Sequence, residues 1–201
     1  MRTAVMISGT GTNLQAIIDA WQGGTTAYQL VLVISNRPEA KGLERAKAAG
    51  IPALLIEHKN FATREAFDQA LDHALEEAKV ELVALAGFMR LLTPGFVNKW
   101  AGRLINIHPS LLPAFQGLNT HQKAIDYGVR VSGCSVIFVD NGVDSGAIID
   151  QAVVPVLPGD NAQSLAARIL EQEHQIFPQA LDKVARGIVR LEQGRTMRQE
   201  E

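Results

Sequence analysis

The chain has 201 residues, with 19 Lys and Arg against 21 Asp and Glu and a formal net charge of −2, so it presents no basic field for nucleic acid or an anionic membrane. That length supports one domain whose core needs neither disulfide nor metal, and the single Cys134 has no partner for either. Met1–Ser8 is too short an apolar run for a secretory leader and no later run approaches a membrane span, so the expected setting is the cytoplasm and the expected partner a small molecule.

In chain order, Thr3 to Ile7 reads as a strand, followed by a Gly-rich turn and a helix from about Asn13 to Trp21. A strand over Leu30 to Ile34, a helix near Gly42 to Ala49 ending at Gly50, and a strand over Ala53 to Ile56 continue the βαβ pattern. The longest helical pattern starts after Thr63, with Phe67, Leu71, Ala74, Leu75 and Ala78 on one face. The run Leu82 to Ala86 is apolar on both sides, as a central parallel strand with helices on both faces requires. Another apolar run, Leu104 to Ile107, reads as a short buried strand.

After it the pattern changes. Ser132 to Val139 and Ala147 to Val156 form an antiparallel hairpin around the long loop Asp140-Asn141-Gly142-Val143-Asp144-Ser145-Gly146. A helix from about Asn161 carries Leu165, Ile169, Leu170, Ile176 and Leu181, with Pro178 as a kink or break, and a polar, frayed tail over 196–201 leaves residues 1–195 as one domain. The expected fold is α/β, a mostly parallel Rossmann-like sheet with helices on both faces and an antiparallel C-terminal hairpin.

Three segments carry chemistry. Asn106 and His108, two apart, leave the same side of a strand that gives way to Pro109-Ser110-Leu111-Leu112-Pro113, and the prolines stop further helix or central strand. A capping His beside a turn Asn is the bland alternative, but Asp144 in its Gly-flanked loop adds a carboxylate to the amide and imidazole. Ser8-Gly9-Thr10-Gly11-Thr12-Asn13 is either a tight turn with an ordinary cap, or a cradle for a phosphate on the helix N-terminus, with Thr12 or Asn13 capping the helix while neighbouring N–H groups point at the ligand; its position at a strand's carboxyl end favours the anion. Gly87-Phe88-Met89-Arg90-Leu91-Leu92-Thr93-Pro94 either covers the core or walls a pocket for a flat aromatic ligand, with Leu85, Phe88 and Leu91 inward and Met89, Arg90 and Leu92 at the cavity.

Over about residues 3 to 190 these motifs, with Gly117, Thr120-His121 and Gln172-Glu173-His174, resemble the phosphoribosylglycinamide formyltransferases of purine (IMP) biosynthesis. The resemblance implies transfer of the formyl group of 10-formyltetrahydrofolate, a co-substrate, to the amino group of glycinamide ribonucleotide, by direct amine attack through a tetrahedral intermediate and without metal. It makes Asn106, His108 and Asp144 the catalytic trio. Gly11, Thr12, Asn13 and Glu173 would hold the ribonucleotide, and Arg64, Met89, Arg90, Leu91, Leu92, Asn106, Asp140 and Val143 the folate. A homodimer is left open. Thr12, Ala114 and Asn119 depart from the family pattern, which has Ser, Lys and His there. In that chemistry Asn106 and a protonated His108 would stabilise the oxyanion, and Asp144 would favour the imidazolium and relay the amine's proton through water.

A formyltetrahydrofolate hydrolase shares the trio and is the alternative enzyme. A formyltransferase acting on tRNA would need a basic surface, and a non-catalytic nucleotide-binding module would have no use for the trio.

Overall fold

The computed structural model describes residues 1–199. Its elements are β1 (Arg2–Ile7), α1 (Thr12–Gln22), β2 (Gln29–Ser35), α2 (Gly42–Ala48), β3 (Ala53–Leu55), α3 (Arg64–Glu77), β4 (Leu82–Leu85), α4 (Pro94–Lys99), β5 (Leu104–His108), α5 (Thr120–Tyr127), β6 (Val131–Phe138), β7 (Ile148–Pro155), α6 (Ala162–Ala185), β8 (Val189–Glu192) and β9 (Arg195–Arg198). Seven of the strands form one sheet in the order β3-β2-β1-β4-β5-β6-β7. The first five lie parallel, β6 runs antiparallel to β5, and β7 antiparallel to β6.

The twofold alternation of strand side chains divides the core into two layers. Val5 and Ile7 of β1 face the cluster that includes Leu14, Ile17 and Ile18 of α1 and Leu165, Ile169 and Phe177 of α6. Ala4 and Met6 face the opposite cluster, with Phe67, Leu71 and Leu75 of α3, Phe96 and Val97 of α4, and Trp100 just after it. All four residues of β4 are buried, as its two-sided apolar pattern demands. The chain steps outward from β1 to β3 and returns on the other side of β1 at β4, so the loops after β1 and β4 flank the point where strand order reverses. Open α/β sheets bind ligands at such a point.

Three expectations need correction. Pro178 is not a break: the helix α6 continues through it, and it is buried with Phe177, Ala180 and Leu181, so packing of that face holds the helix although the ring removes one amide donor. Residues 196–198, expected in a frayed tail, lie in β9, which pairs with β8 from Val189↔Arg198 to Glu192↔Arg195, so the 195/196 boundary falls inside a strand. Arg198 also donates from Nη2 to the Ile149 carbonyl at 2.8 Å. The last two tail positions, 200 and 201, lie outside the described residues. Finally, neither Thr12 nor Asn13 caps α1: the cap is Gly11, at φ 71°, whose lack of a side chain leaves the first-turn amides open to a ligand.

Gly11 is irreplaceable for two reasons. A side chain there would be held in the left-handed region, and its Cβ would come within 2.7 Å of the Gly42 Cα at the start of α2. The variant Gly11→Ala is expected to lose about 1–3 kcal/mol of stability in denaturant titration. Stability within error of the parent would show that α1 and α2 separate freely.

Candidate functional site

The site begins on one face of β5. Asn106 and His108 share the side of Leu104, facing the α3 and α4 layer, while Ile105 and Ile107 enter the other core. Register sets His108 opposite Ser135 and Ile105 opposite Phe138, so β6 ends level with the amino end of β5. The loop after β6 therefore leaves at that amino end and must fold back across the sheet to bring Asp144 to His108. Its sequence permits this. A Cβ on Gly146 would meet the Phe138 carbonyl oxygen at 1.7 Å, and Asp144 itself sits at φ 50°, which Asp tolerates better than most residues.

Asn106, His108 and Asp144 are brought together, as expected. Asp144 Oδ2 lies 3.3 Å from His108 Nδ1, and the Asn106 amide donates to Asp144 Oδ1 at 3.5 Å. Two backbone groups complete the site: the N–H of Gly117, a residue the resemblance singled out without a role, donates to Asp144 Oδ2 at 3.0 Å, and the carbonyl of Phe115, which no motif marked, lies 3.1 Å from His108 Nε2. Both ring nitrogens thus face oxygens that accept, and the imidazolium alone donates to both. The His108 side chain is 7% exposed and that of Asp144 17%, so the pair is largely shielded from solvent screening. His121, in the first turn of α5, is held below the usual histidine range by burial and then by the charge of His108, which places it among the trio's neighbours.

The loop after His108 is shaped by hydroxyls. Ser110 donates to the Ala114 carbonyl at 2.7 Å, and Ser135 donates to the Ser110 carbonyl at 2.7 Å while accepting from Leu112 N at 3.0 Å. Ser110 is fully buried and serves the loop, not as a nucleophile. Asn119, at φ 58°, starts α5 in a conformation Asn accepts readily. Cys134 is buried and desolvation pushes its thiol up to about 12, a structural role.

At the carboxyl end of β1, Asn13 of α1 donates from Nδ2 to Glu173 Oε2 of α6 at 2.7 Å, joining two residues 160 positions apart. Asn13 Oδ1 is buried without a hydrogen-bond partner among the described residues. Arg45 of α2 donates from Nε to the Thr10 carbonyl at 3.0 Å, which fixes the turn from behind. A cleft of about 450 Å³ beside it is lined by Thr12, Gln15, Asp19, Arg45 and His174. Glu173 is 7% exposed, and burial raises its carboxyl above the usual range against the partial opposition of the Asn13 hydrogen bond.

A raised carboxyl holds its proton to higher pH folded than unfolded, so stability falls as pH climbs from the ordinary glutamate value of about 4.3 through the folded value. The variant Glu173→Gln should therefore melt higher than the parent at pH 7, and the gap should close towards pH 4. Calorimetry that finds no gap, or one independent of pH, would remove the burial penalty.

The apolar loop differs from expectation in its packing. Leu85 and Phe88 are buried as expected, but Leu91 is 62% exposed whereas Leu92 packs against the α3 and α4 core, the reverse of the sequence reading. Thr93 caps α4 and its own N–H donates to buried Asp68, which turns Leu92 inward. Met89 and Val143 are exposed, leaving apolar surface in solvent. Arg64, the first residue of α3, donates from Nη2 to the Leu91 and Leu92 carbonyls at 3.0 and 3.1 Å, so it braces this loop. The Asp140 carboxylate accepts from Gly142 N at 3.1 Å and from Ser145 Oγ at 2.8 Å, and shapes the Asp144 loop from within. Asn141 ties that loop to Asn98 of α4 at 2.9 Å.

Comparison with known proteins follows the same lines. Residues 1–181 match the family described as formyl transferase. The chain is 51% identical over 191 residues to the trifunctional purine biosynthetic protein adenosine-3 of Gallus gallus, covering 95% of this chain and 19% of that protein. It is 46% identical over 190 residues to the phosphoribosylglycinamide formyltransferase of Haemophilus influenzae, covering 94% of this chain and 90% of that one. The crystal structure of glycinamide ribonucleotide transformylase 1 from Symbiobacterium toebii superposes with a TM-score of 0.97 at 46% identity, covering 100% of this chain and 94% of that one. The chain thus spans under a fifth of the trifunctional relatives it matches and nearly all of the others.

Proposed function

Because this chain belongs to the formyl transferase family, we propose that it transfers the formyl group of 10-formyltetrahydrofolate to the amino group of glycinamide ribonucleotide in purine biosynthesis. The observation that carries the reading is the Asp144 carboxylate held between the His108 ring and the Asn106 amide on one face of β5. The folate supplies the formyl group and leaves through its nitrogen. As the substrate amine attacks the formyl carbon, negative charge grows on the formyl oxygen. Asn106 and His108 are the donors that meet it. A charged oxygen is a stronger acceptor than the neutral Phe115 carbonyl, so it takes over the His108 Nε2 proton donor, and the gain appears only as the charge develops. Asp144, steadied by the Gly117 N–H, orients the ring and accepts the amine's proton through water, and that proton passes on to the folate nitrogen as its bond to the formyl carbon breaks.

The remaining assignments follow the loops. The open amides after Gly11, with Asn13 and Glu173, suit the phosphate and ribose of the ribonucleotide. The exposed side chains of Met89, Leu91 and Val143 suit the flat ring of the folate, with Arg90 beside them and Arg64, Leu92 and Asp140 shaping the walls. The same reading places the enzyme in the cytoplasm, in keeping with its one buried, unpaired cysteine. The relatives spanned along nearly their whole length carry the transferase name, so the hydrolase alternative is set aside. A coupled assay tests the reading: folate should be released only when glycinamide ribonucleotide is present. Equal release with water alone would make the enzyme a hydrolase.

A further inference from the structure

Ser8 stands at the head of the phosphate loop, so its place in the sequence suggests service to the ribonucleotide. Its contacts point elsewhere. It is 4% exposed, and its hydroxyl donates to Asn36 Oδ1 at 2.6 Å while accepting from the Met89 N–H at 2.8 Å. Asn36, 1% exposed, follows β2, and its side chain continues to His58 Nδ1 at 3.4 Å, beyond β3. One hydroxyl thus joins the loops after β1, β2 and β4 beneath the carboxyl edge of the sheet. Its proton is fixed by Asn36, one acceptor lone pair is taken by the apolar loop, and at 4% exposure the other has little access to a substrate.

Gly87, at φ 73°, turns the chain out of β4, Phe88 enters the core, and Met89 is 54% exposed. The Ser8 contact is made by the backbone of the residue whose side chain leaves the protein. Arg64 fixes the far end of the loop through the Leu91 and Leu92 carbonyls. The loop is therefore held at two points, one of them on the opposite side of the strand-order reversal.

We propose that Ser8 is a positioning residue for the folate loop Gly87–Leu92, acting through the Met89 amide with Asn36 orienting its hydroxyl, and not a ribonucleotide-binding residue. This rests on the formyl-transfer reading above. Removing the hydroxyl leaves the Met89 N–H without an acceptor and frees the loop from β1, while the amides after Gly11 and the Asn13–Glu173 bond stay in place.

The test is the variant Ser8→Ala, read in three ways. The Met89 amide should lose its hydrogen-exchange protection, the folate KM should rise about tenfold, and ribonucleotide affinity by calorimetry should change by no more than about twofold. The variant Asn36→Ala leaves the Met89 acceptor but frees its rotation and should give a smaller folate effect; Asn36→Asp, which keeps an acceptor for the Ser8 proton, should restore it. If Ser8→Ala weakens the ribonucleotide as much as the folate, or strips Met89 protection without moving the folate KM, the positioning role is overturned. If Ser8→Ala does not fold, the Asn36 pair decides: equal folate KM in Asn36→Ala and the parent refutes the proposal. The exchange measurement needs no substrate, so a parent enzyme that fails to transfer formyl would sink the functional reading separately.

Discussion

His108→Ala should lower turnover by about two to four orders of magnitude while leaving ribonucleotide affinity nearly unchanged. The imidazolium does its work only when charge develops on the formyl oxygen, so its loss is felt in the transition state more than in binding. The local structure should tolerate the change, because the Phe115 carbonyl and the Asp144 carboxylate that face the ring are acceptors, and the Gly117 N–H still holds Asp144. Single-turnover rates with saturating substrates, beside calorimetric affinities, separate the cases. A variant that loses affinity but keeps its saturated rate would make His108 a binding residue and leave the trio without a charged donor.

Asp144→Asn should lower turnover by about two to three orders of magnitude near neutral pH, with the fold and both affinities largely retained. Asn accepts the left-handed backbone of position 144, which Ala would not do without strain, so the loop should keep its path. The chemistry suffers in two places. The His108 ring loses the carboxylate that orients it, and the amine's proton loses its acceptor. Geometry adds a third cost: the carboxylate is surrounded by donors from Asn106, His108 and Gly117, and an amide there must turn its own N–H₂ towards at least one of them. Turnover within tenfold of the parent would show that the carboxylate neither supports the ring nor receives the proton.

Much of this architecture was legible because parallel strands between helices leave strong apolar runs. Leu82 to Leu85 and Leu104 to Ile107 announced themselves in this way, and the Phe67, Leu71, Leu75 stripe placed α3. That Asn106, His108 and Asp144 meet was legible from residue type and position, while the roles assigned to them came from the resemblance. What escaped were features set by backbone paths. Phe115 enters the site through its carbonyl, and Gly117, marked by the resemblance but given no role by it, through its N–H, groups that any residue supplies. Asn36, 28 positions from Ser8, meets it only because β1 and β2 pair in register. The exchange of Leu91 for Leu92 as the inward residue depends on the Thr93 N–H reaching Asp68, a contact between β4's loop and α3 that no local pattern contains. Likewise the short α4 and α5, of six and eight residues, are too brief for periodicity to rise above the loops around them, and β9 is so polar that only its pairing with β8 identifies it.

The last strand has a bearing on how this protein behaves at high concentration. A sheet of this kind ends in two edges, and an unpaired edge is a template on which a second chain can add a strand. At one edge β3 is only three residues long, too short to recruit much. The other edge, β7, has eight residues and a Val153 that is 61% exposed, a greater hazard. There Arg198 spends its guanidinium on the Ile149 carbonyl, Lys183 pairs with Asp150 at 2.6 Å, and Pro155 brings no N–H to the strand's end. The polar terminal hairpin, whose Gly194, Arg195 and Thr196 share a cleft with Asp144, thus also guards the long edge of the sheet against strand-by-strand aggregation.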